Sequence, residues 1–264
     1  MGKIIACMNE KGGVAKTTTV KNVSVGFAME GKKVLAIDLD PSASLSKSLG
    51  VSPTEEKGTI CSILDYSIDC EEIPDGCGIV HQEEGIDIIT SSRHMRAYES
   101  KLMETMQREL VLQRYVYSIR DKYDYILIDC LAGLGIFVTN ALFCADALII
   151  PVEPQFLAAS AMQNLFVNIA QVRKLNGTHR RPEILGGLFS KVRTNTNNDK
   201  FVMEKLKKTS GTGIKYFNTY IPHLVAFSES DAACQSIYRY AKNSAAAMIY
   251  SDLVKEILEI EKNG

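Results

Sequence analysis

Asn9-Glu10-Lys11-Gly12-Gly13-Val14-Ala15-Lys16-Thr17-Thr18-Thr19 follows the apolar run Ile4–Met8 and leads into an amphipathic stretch, Thr17–Glu30. An apolar strand, a glycine-bearing turn, Lys-Thr and a helix in that order make a phosphate-binding loop. The glycines let backbone N–H groups turn inward around phosphate oxygens, and the helix N-terminus adds partial positive charge. Lys16 offers a point charge to β- and γ-phosphates, and Thr17 a hydroxyl to Mg²⁺. The generic G-x-x-x-x-G-K-[ST] pattern fails at both glycine anchors, which are Glu10 and Ala15. An alanine is acceptable at the second if its backbone is right-handed helical, and costly if it must be left-handed.

Outward from the loop, Val20, Val23, Phe27 and Ala28 form one apolar face of the following helix, and Gly31 stops it. The next apolar run, Lys33–Ile37, ends in Asp38-Leu39-Asp40-Pro41, so two carboxylates at i and i+2 point the same way at a strand end. Open α/β sheets bind ligands in that crevice. A third run, Tyr125–Ile128, closes on Asp129, the strand-end carboxylate that holds magnesium directly or through water. Further candidate strands are Ile86–Thr90, Ala147–Val152, Ile184–Phe189 and Lys215–Phe217. Near-continuous apolar strands alternating with helices imply an α/β, doubly wound, mostly parallel sheet covered on both faces. The turn-rich stretch Asp69–Gly85 reads as a surface insertion, and the chain as a single domain, 1–264. Ala241–Ile260 reads as a final helix with Met248, Leu253, Val254, Ile257 and Leu258 on its apolar side, packed against the sheet.

The 264 residues are 46% apolar and 23% charged, which excludes disordered, collagen-like and coiled-coil classes. No apolar run approaches the ~18 residues of a membrane-spanning helix, and the N-terminal apolar stretch is too short for a signal peptide. Seven scattered cysteines without a C-x-x-C pair, and four histidines without ligand spacing, point to a reduced, cytoplasmic protein with no metal cluster. The formal net charge of −1 hides an asymmetry: residues 171–220 hold eleven Lys/Arg against three acids. Such a stretch fits a polyanionic partner, or a solvated lysine-rich face.

Together these segments resemble the ParA/Soj group of deviant Walker A P-loop ATPases, whose loop reads K-G-G-x-G-K-T-T. The likeness extends through Asp38-Leu39-Asp40-Pro41, Tyr123–Asp129, Thr139-Asn140-Ala141-Leu142, Ala145-Asp146, Ile149–Val152, Pro154, Arg193-Thr194-Asn195, Ile221-Pro222 and the region 245–256. It implies ATP and Mg²⁺ as cofactors and Gly12, Gly13, Val14, Ala15, Lys16, Thr17 and Thr18 as the nucleotide cradle. Lys11 would be the signature lysine that reaches a partner's phosphates across a nucleotide-sandwich homodimer. Asp40 would polarise the attacking water, making Lys11, Lys16 and Asp40 the catalytic set. Thr17, Asp38 and Asp129 would order the metal and its waters, and Pro222 would contact adenine. Four places differ from the family pattern: Ala15 replaces the glycine before the second lysine, Ser42-Ala43-Ser44 replaces Q-G-N, Asp129–Leu134 lacks D-x-P-P-S-L's prolines, and His223-Leu224-Val225-Ala226 replaces R-N-V-R.

The resemblance further implies chromosome or plasmid partitioning by an ATP-switched dimer that binds DNA nonspecifically near the nucleoid and is released when a ParB-like partner stimulates hydrolysis. Arg180, Arg181, Lys200, Lys205, Lys207 and Lys208 are the candidate DNA contacts, with the three last lysines on one helix. The alternative is a MinD-like membrane-cycling positional ATPase, which calls for a basic amphipathic C-terminus. Here Asp252, Glu256, Glu259 and Glu261 outnumber Lys255 and Lys262, so no membrane partner is expected. A reductase relative needs cluster-ligating cysteines, and Cys130 has no second ligand set at the right spacing.

Overall fold

Successive residues of β1 (Lys3–Cys7) enter two different cores: Ile4 and Ala6 face one layer, Ile5 and Cys7 the other. A strand buried on both faces must be apolar at every position, which is why the strands read as runs rather than alternations. The computed structural model describes residues 1–52, 58–155, 158–176, 181–194, 196–208 and 214–263. Among them the chain forms a seven-stranded sheet in the order β3-β4-β2-β5-β1-β6-β7. Its other strands are β2 (Val34–Leu39), β3 (Ile79–Gln82), β4 (Ile86–Ile89), β5 (Tyr125–Cys130), β6 (Ala147–Val152) and β7 (Glu183–Phe189). All neighbours are parallel except β3 against β4.

One face is covered by α3 (Ile60–Asp69), α4 (Ala97–Met103), α5 (Val111–Ile119), α6 (Ile136–Cys144), α7 (Ala158–Leu175) and α8 (Asn197–Lys208). The other carries α1 (Lys16–Met29), α2 (Ser44–Ser48), α9 (Val225–Ala232), α10 (Ile237–Tyr240) and α11 (Ala245–Asn263). α1 is buried from Thr19 to Phe27 because α10 and α11 lean on it as well as the sheet. A β-carbon at Gly26 would come within 2.7 Å of Val254 Cγ2 and 2.6 Å of Tyr238 Oη, so only glycine permits that approach. Gly31, at φ 75°, ends the helix where the sequence places its stop.

Three local expectations need correction. Asp69–Gly85 is not simply a surface insertion, because Ile79–Gln82 within it pairs antiparallel with β4 as the sheet's edge strand. Its half-buried, glycine-flanked Ile-Val-His-Gln lacks the apolar run of a central strand. Lys215–Phe217 forms no strand: Tyr216 makes an isolated bridge to Gly187. The next N–H groups, of Asn218 and Thr219, donate instead to the Glu256 carboxylate at 2.6 and 2.9 Å, which ends the ladder. On α11, Tyr250, Leu253, Val254 and Ile257 are the buried face, whereas Met248 lies on the solvent side, 60% exposed. No helix among the described residues is long and apolar enough to cross a membrane.

Candidate nucleotide-binding site

The loop between β1 and α1 is fixed from below by two side chains. Asn9 Nδ2 donates to Pro151 O at the end of β6 (2.7 Å), while Asn9 Oδ1 accepts from Lys11 N–H (3.0 Å). Ser190 Oγ, just past β7, donates to Val14 O (2.9 Å). Gly13 (φ 73°) and Ala15 (φ 66°, ψ 32°) are both left-handed. The right-handed conformation that would make Ala15 harmless is therefore not adopted, and the loop carries strain of ~1–2 kcal/mol at that residue. Lys16 arches back over the loop, its Nζ 3.2 Å from Asn9 O and 3.1 Å from Lys11 O.

A cleft of about 760 Å³ opens above this loop, a size suited to a nucleotide. It collects Gly12, Gly13, Ala15, Lys16, Thr17, Thr18, Asp40 and Pro222 on one wall system. Ile221, His223, Leu224, Val225, Phe227, Ser228 and Asp231 also line it; Lys47 and Lys191 bring further cations. Sequence reading missed those two lysines because nothing local marks a residue as a pocket wall.

The carboxylates divide by depth. Asp40 lies on the cleft wall, its Oδ1 accepting from Ser42 N–H (2.8 Å). Asp38 does not share that wall as the i, i+2 spacing implies; it is fully buried and accepts from Ser46 N–H (2.9 Å), Ser46 Oγ (2.7 Å) and Asp40 N–H (3.2 Å). Asp129 is its register partner on β5, equally buried, with Oδ2 accepting from Thr17 Oγ1 (2.7 Å) and Oδ1 without a hydrogen-bond partner. Burial raises the Asp38 pKa to about 6 against the pull of the Ser46 donors. Burial, then the neighbouring Asp38 charge, pushes Asp129 well up too.

Lys11 and Val14 stand outside the cleft. The Lys11 ammonium turns to Glu153 Oε2 (2.8 Å) and Gln155 Oε1 (2.5 Å), away from the phosphate loop of its own chain. The basic candidates separate as well. Lys200, Lys205, Lys207 and Lys208 share α8 and are exposed, with Lys207 Nζ 5.9 Å from the Phe189 ring centre. Arg181 does not join them: it pairs with buried Asp146 (2.5 Å), beside Arg120, where β7 begins. α8 follows the far end of that strand, about 20 Å of backbone away. Arg180 lies outside the described residues. Among the described residues no group of three or more His, Cys, Asp or Glu could hold a metal ion.

A parallel sheet whose first strand feeds a glycine turn, Lys-Thr and a buried helix, with strand-end carboxylates beneath, defines a P-loop nucleotide-binding protein. A family model described as an AAA domain matches residues 2–180. The chain is 34% identical over 257 residues to the sporulation initiation inhibitor protein Soj of Bacillus subtilis (strain 168), covering 97% of this chain and 98% of that one. It is 31% identical over 260 residues to the chromosome-partitioning ATPase Soj of Treponema pallidum (strain Nichols), 98% of each chain. Among solved structures, cobyrinic acid a,c-diamide synthase from Mycobacterium smegmatis with bound ADP and magnesium superposes with a TM-score of 0.84 at 24% identity, covering 100% of this chain and 97% of that one. The chain belongs to the Soj/ParA family of P-loop partitioning ATPases.

Proposed function

We propose that this chain is a single-domain Mg-ATP-dependent ATPase, residues 1–264, that dimerises on ATP, binds DNA nonspecifically in that state, and is released when a ParB-like partner stimulates hydrolysis. In this reading it acts in chromosome or plasmid partitioning, in the cytoplasm at the nucleoid. The observation that carries the reading is the position of Lys11: it belongs to the loop yet lies outside its own cleft, held by a partly exposed ion pair with Glu153 that a partner's phosphates would replace.

The donor set fits a magnesium ion accompanying the nucleotide. The Thr17 hydroxyl and the Asp129 carboxylate already face each other, and Asp129 Oδ1 is a buried acceptor with no donor. Thr17 would hold the ion, with Asp129 and, beneath it, Asp38 ordering its surroundings; bound there, the metal neutralises phosphate charge. Phosphoryl transfer asks the protein for positioning and charge neutralisation rather than covalent chemistry. Lys16 and the N–H groups of residues 12–18 would bind the phosphates, and Pro222 would cover the base. Asp40, held on the wall by Ser42 N–H, would orient the attacking water.

For the DNA step, support comes from α8, which presents Lys200, Lys205, Lys207 and Lys208 to solvent on one helix. A membrane-cycling role has less support, because the buried residues of α11 are spent on α1. ATP turnover and retention on DNA, measured together with and without Mg-ATP across a salt series, test the proposal. DNA retention that requires ATP and falls steeply with salt is the expected result; retention indifferent to ATP, or flat in salt, overturns it.

A further inference from the structure

Lys21 lies in the second turn of α1 with its side chain wholly buried. Its ammonium donates to Asp231 Oδ1 (2.6 Å), to Gln235 O (2.7 Å) and, at the limit, to Ser230 Oγ (3.5 Å). All three acceptors belong to α9 or the turn after it. The next residue continues the attachment, since Asn22 Oδ1 accepts from Ile237 N–H (2.8 Å) at the start of α10.

α9 needs such an attachment. Of its eight residues only Phe227 and Ser230 are buried, so hydrophobic packing holds it weakly. Yet Val225, Phe227, Ser228 and Asp231 from this helix line the same cleft as Pro222, proposed above to cover the base, and so form its base-side wall in that reading. The other end of the clamp is α1 itself, whose first residues, Lys16 and Thr17, line the phosphate end. A buried ammonium is expensive, and an apolar side chain of the same length would fill the space at less cost. Burial accordingly lowers the Lys21 pKa. What an apolar residue lacks is the pair of directional bonds to α9 and to the turn after it.

We infer that Lys21 is a positioning residue for the nucleotide: by gripping Asp231 and Gln235 it holds the base-side wall at a fixed distance from the phosphate end of α1. The inference rests on the ATPase reading and is independent of the DNA step.

Three variants test it: Lys21→Met, Asp231→Ala and the double substitution. Each is titrated with fluorescent N-methylanthraniloyl-ADP, with inorganic pyrophosphate as competitor, and its steady-state kcat and KM for ATP are measured. Lys21→Met is expected to weaken ADP binding and raise KM by about tenfold, the worth of one lost charged hydrogen bond. Pyrophosphate, which touches the phosphate end alone, should bind as to the parent protein, and kcat should stay within about twofold. The double variant should match Lys21→Met, because both changes remove the same contact. Unchanged ADP affinity in Lys21→Met overturns the inference. So does an equal loss for pyrophosphate, which would make the lysine merely structural. Recovery in the double variant also overturns it, because the defect would then be an uncompensated carboxylate. If Lys21→Met does not fold, Asp231→Ala decides, the Asp231 side chain being 39% exposed; normal ADP affinity there refutes the clamp. A parent protein that binds no ADP would instead refute the ATPase reading.

Discussion

Asp38 and Asp129 stand opposite each other on the adjacent strands β2 and β5, in register and both wholly buried. Two carboxylates so placed cannot both be charged in a nucleotide-free protein without cost, and burial is the larger reason for each. The Asp38 pKa near 6 lies above the value of about 3.9 expected of an unfolded chain. Folding therefore favours the protonated form. That contribution is fully present below about pH 4 and is lost as pH rises through about 6. In EDTA and without nucleotide, thermal midpoints should fall across this window, by the equivalent of at most about 3 kcal/mol. Asp38→Asn, which keeps an acceptor for Ser46, should flatten the profile; an unchanged slope would assign the effect elsewhere.

Ala15 offers a test of the loop. Its left-handed backbone suits glycine, and the residue lines the cleft. Ala15→Gly should raise stability by about 1 kcal/mol, or ~2–4 °C in Tm, offset in part by the extra freedom of glycine in the unfolded chain. Calorimetry decides; a lower Tm would mean the methyl group packs usefully.

Lys11→Ala should leave ADP binding intact and abolish ATP-dependent dimerisation, seen by light scattering. The lost ion pair with Glu153, 37% and 19% exposed at its two ends, is worth at most about 1 kcal/mol, so unfolding is not the expected cause. A Lys11→Ala dimer formed on ATP would refute the in-trans role.

Asp40→Ala is expected to retain Mg-ATP while turnover falls by about 10²-fold or more, because the variant keeps Lys16, Thr17 and the loop N–H groups but loses the carboxylate that would orient water. Equilibrium binding and single-turnover hydrolysis separate the two effects. Turnover at the parent rate would remove Asp40 from the mechanism.

On α8, replacing Lys200, Lys205 or Lys207 singly by Ala should lower DNA affinity without regard to sequence. Each loss should reduce the slope of log affinity against log salt by about 1 if that lysine meets a phosphate. Arg181→Ala should not change the slope, because that guanidinium is held by Asp146 where β7 begins. The reverse pattern would move the DNA face to the other end of the sheet.

Much of the architecture was legible along the chain because parallel strands are buried on both faces and must be apolar throughout. Ile4–Met8, Tyr125–Ile128 and Ala147–Val152 each agree with an observed strand to within two residues at either end. β3 was not, since an edge strand half in solvent needs no apolar run. The loop was legible as chemistry, because backbone N–H groups, a lysine and a hydroxyl must follow one another to surround a phosphate.

The sequence by itself determined the P-loop, its Lys16 and Thr17, and the strand-end carboxylates, because these depend on neighbours in the chain. Only the tertiary structure decided that Ala15 is left-handed, that Asp38 lies under the wall while Asp40 lines it, and that Arg181 is remote from α8. It alone joined Lys21 to Asp231, 210 positions apart. Those facts follow from which elements the packing brings together and how deep each side chain ends, and neither separation in space nor burial is carried by local spacing.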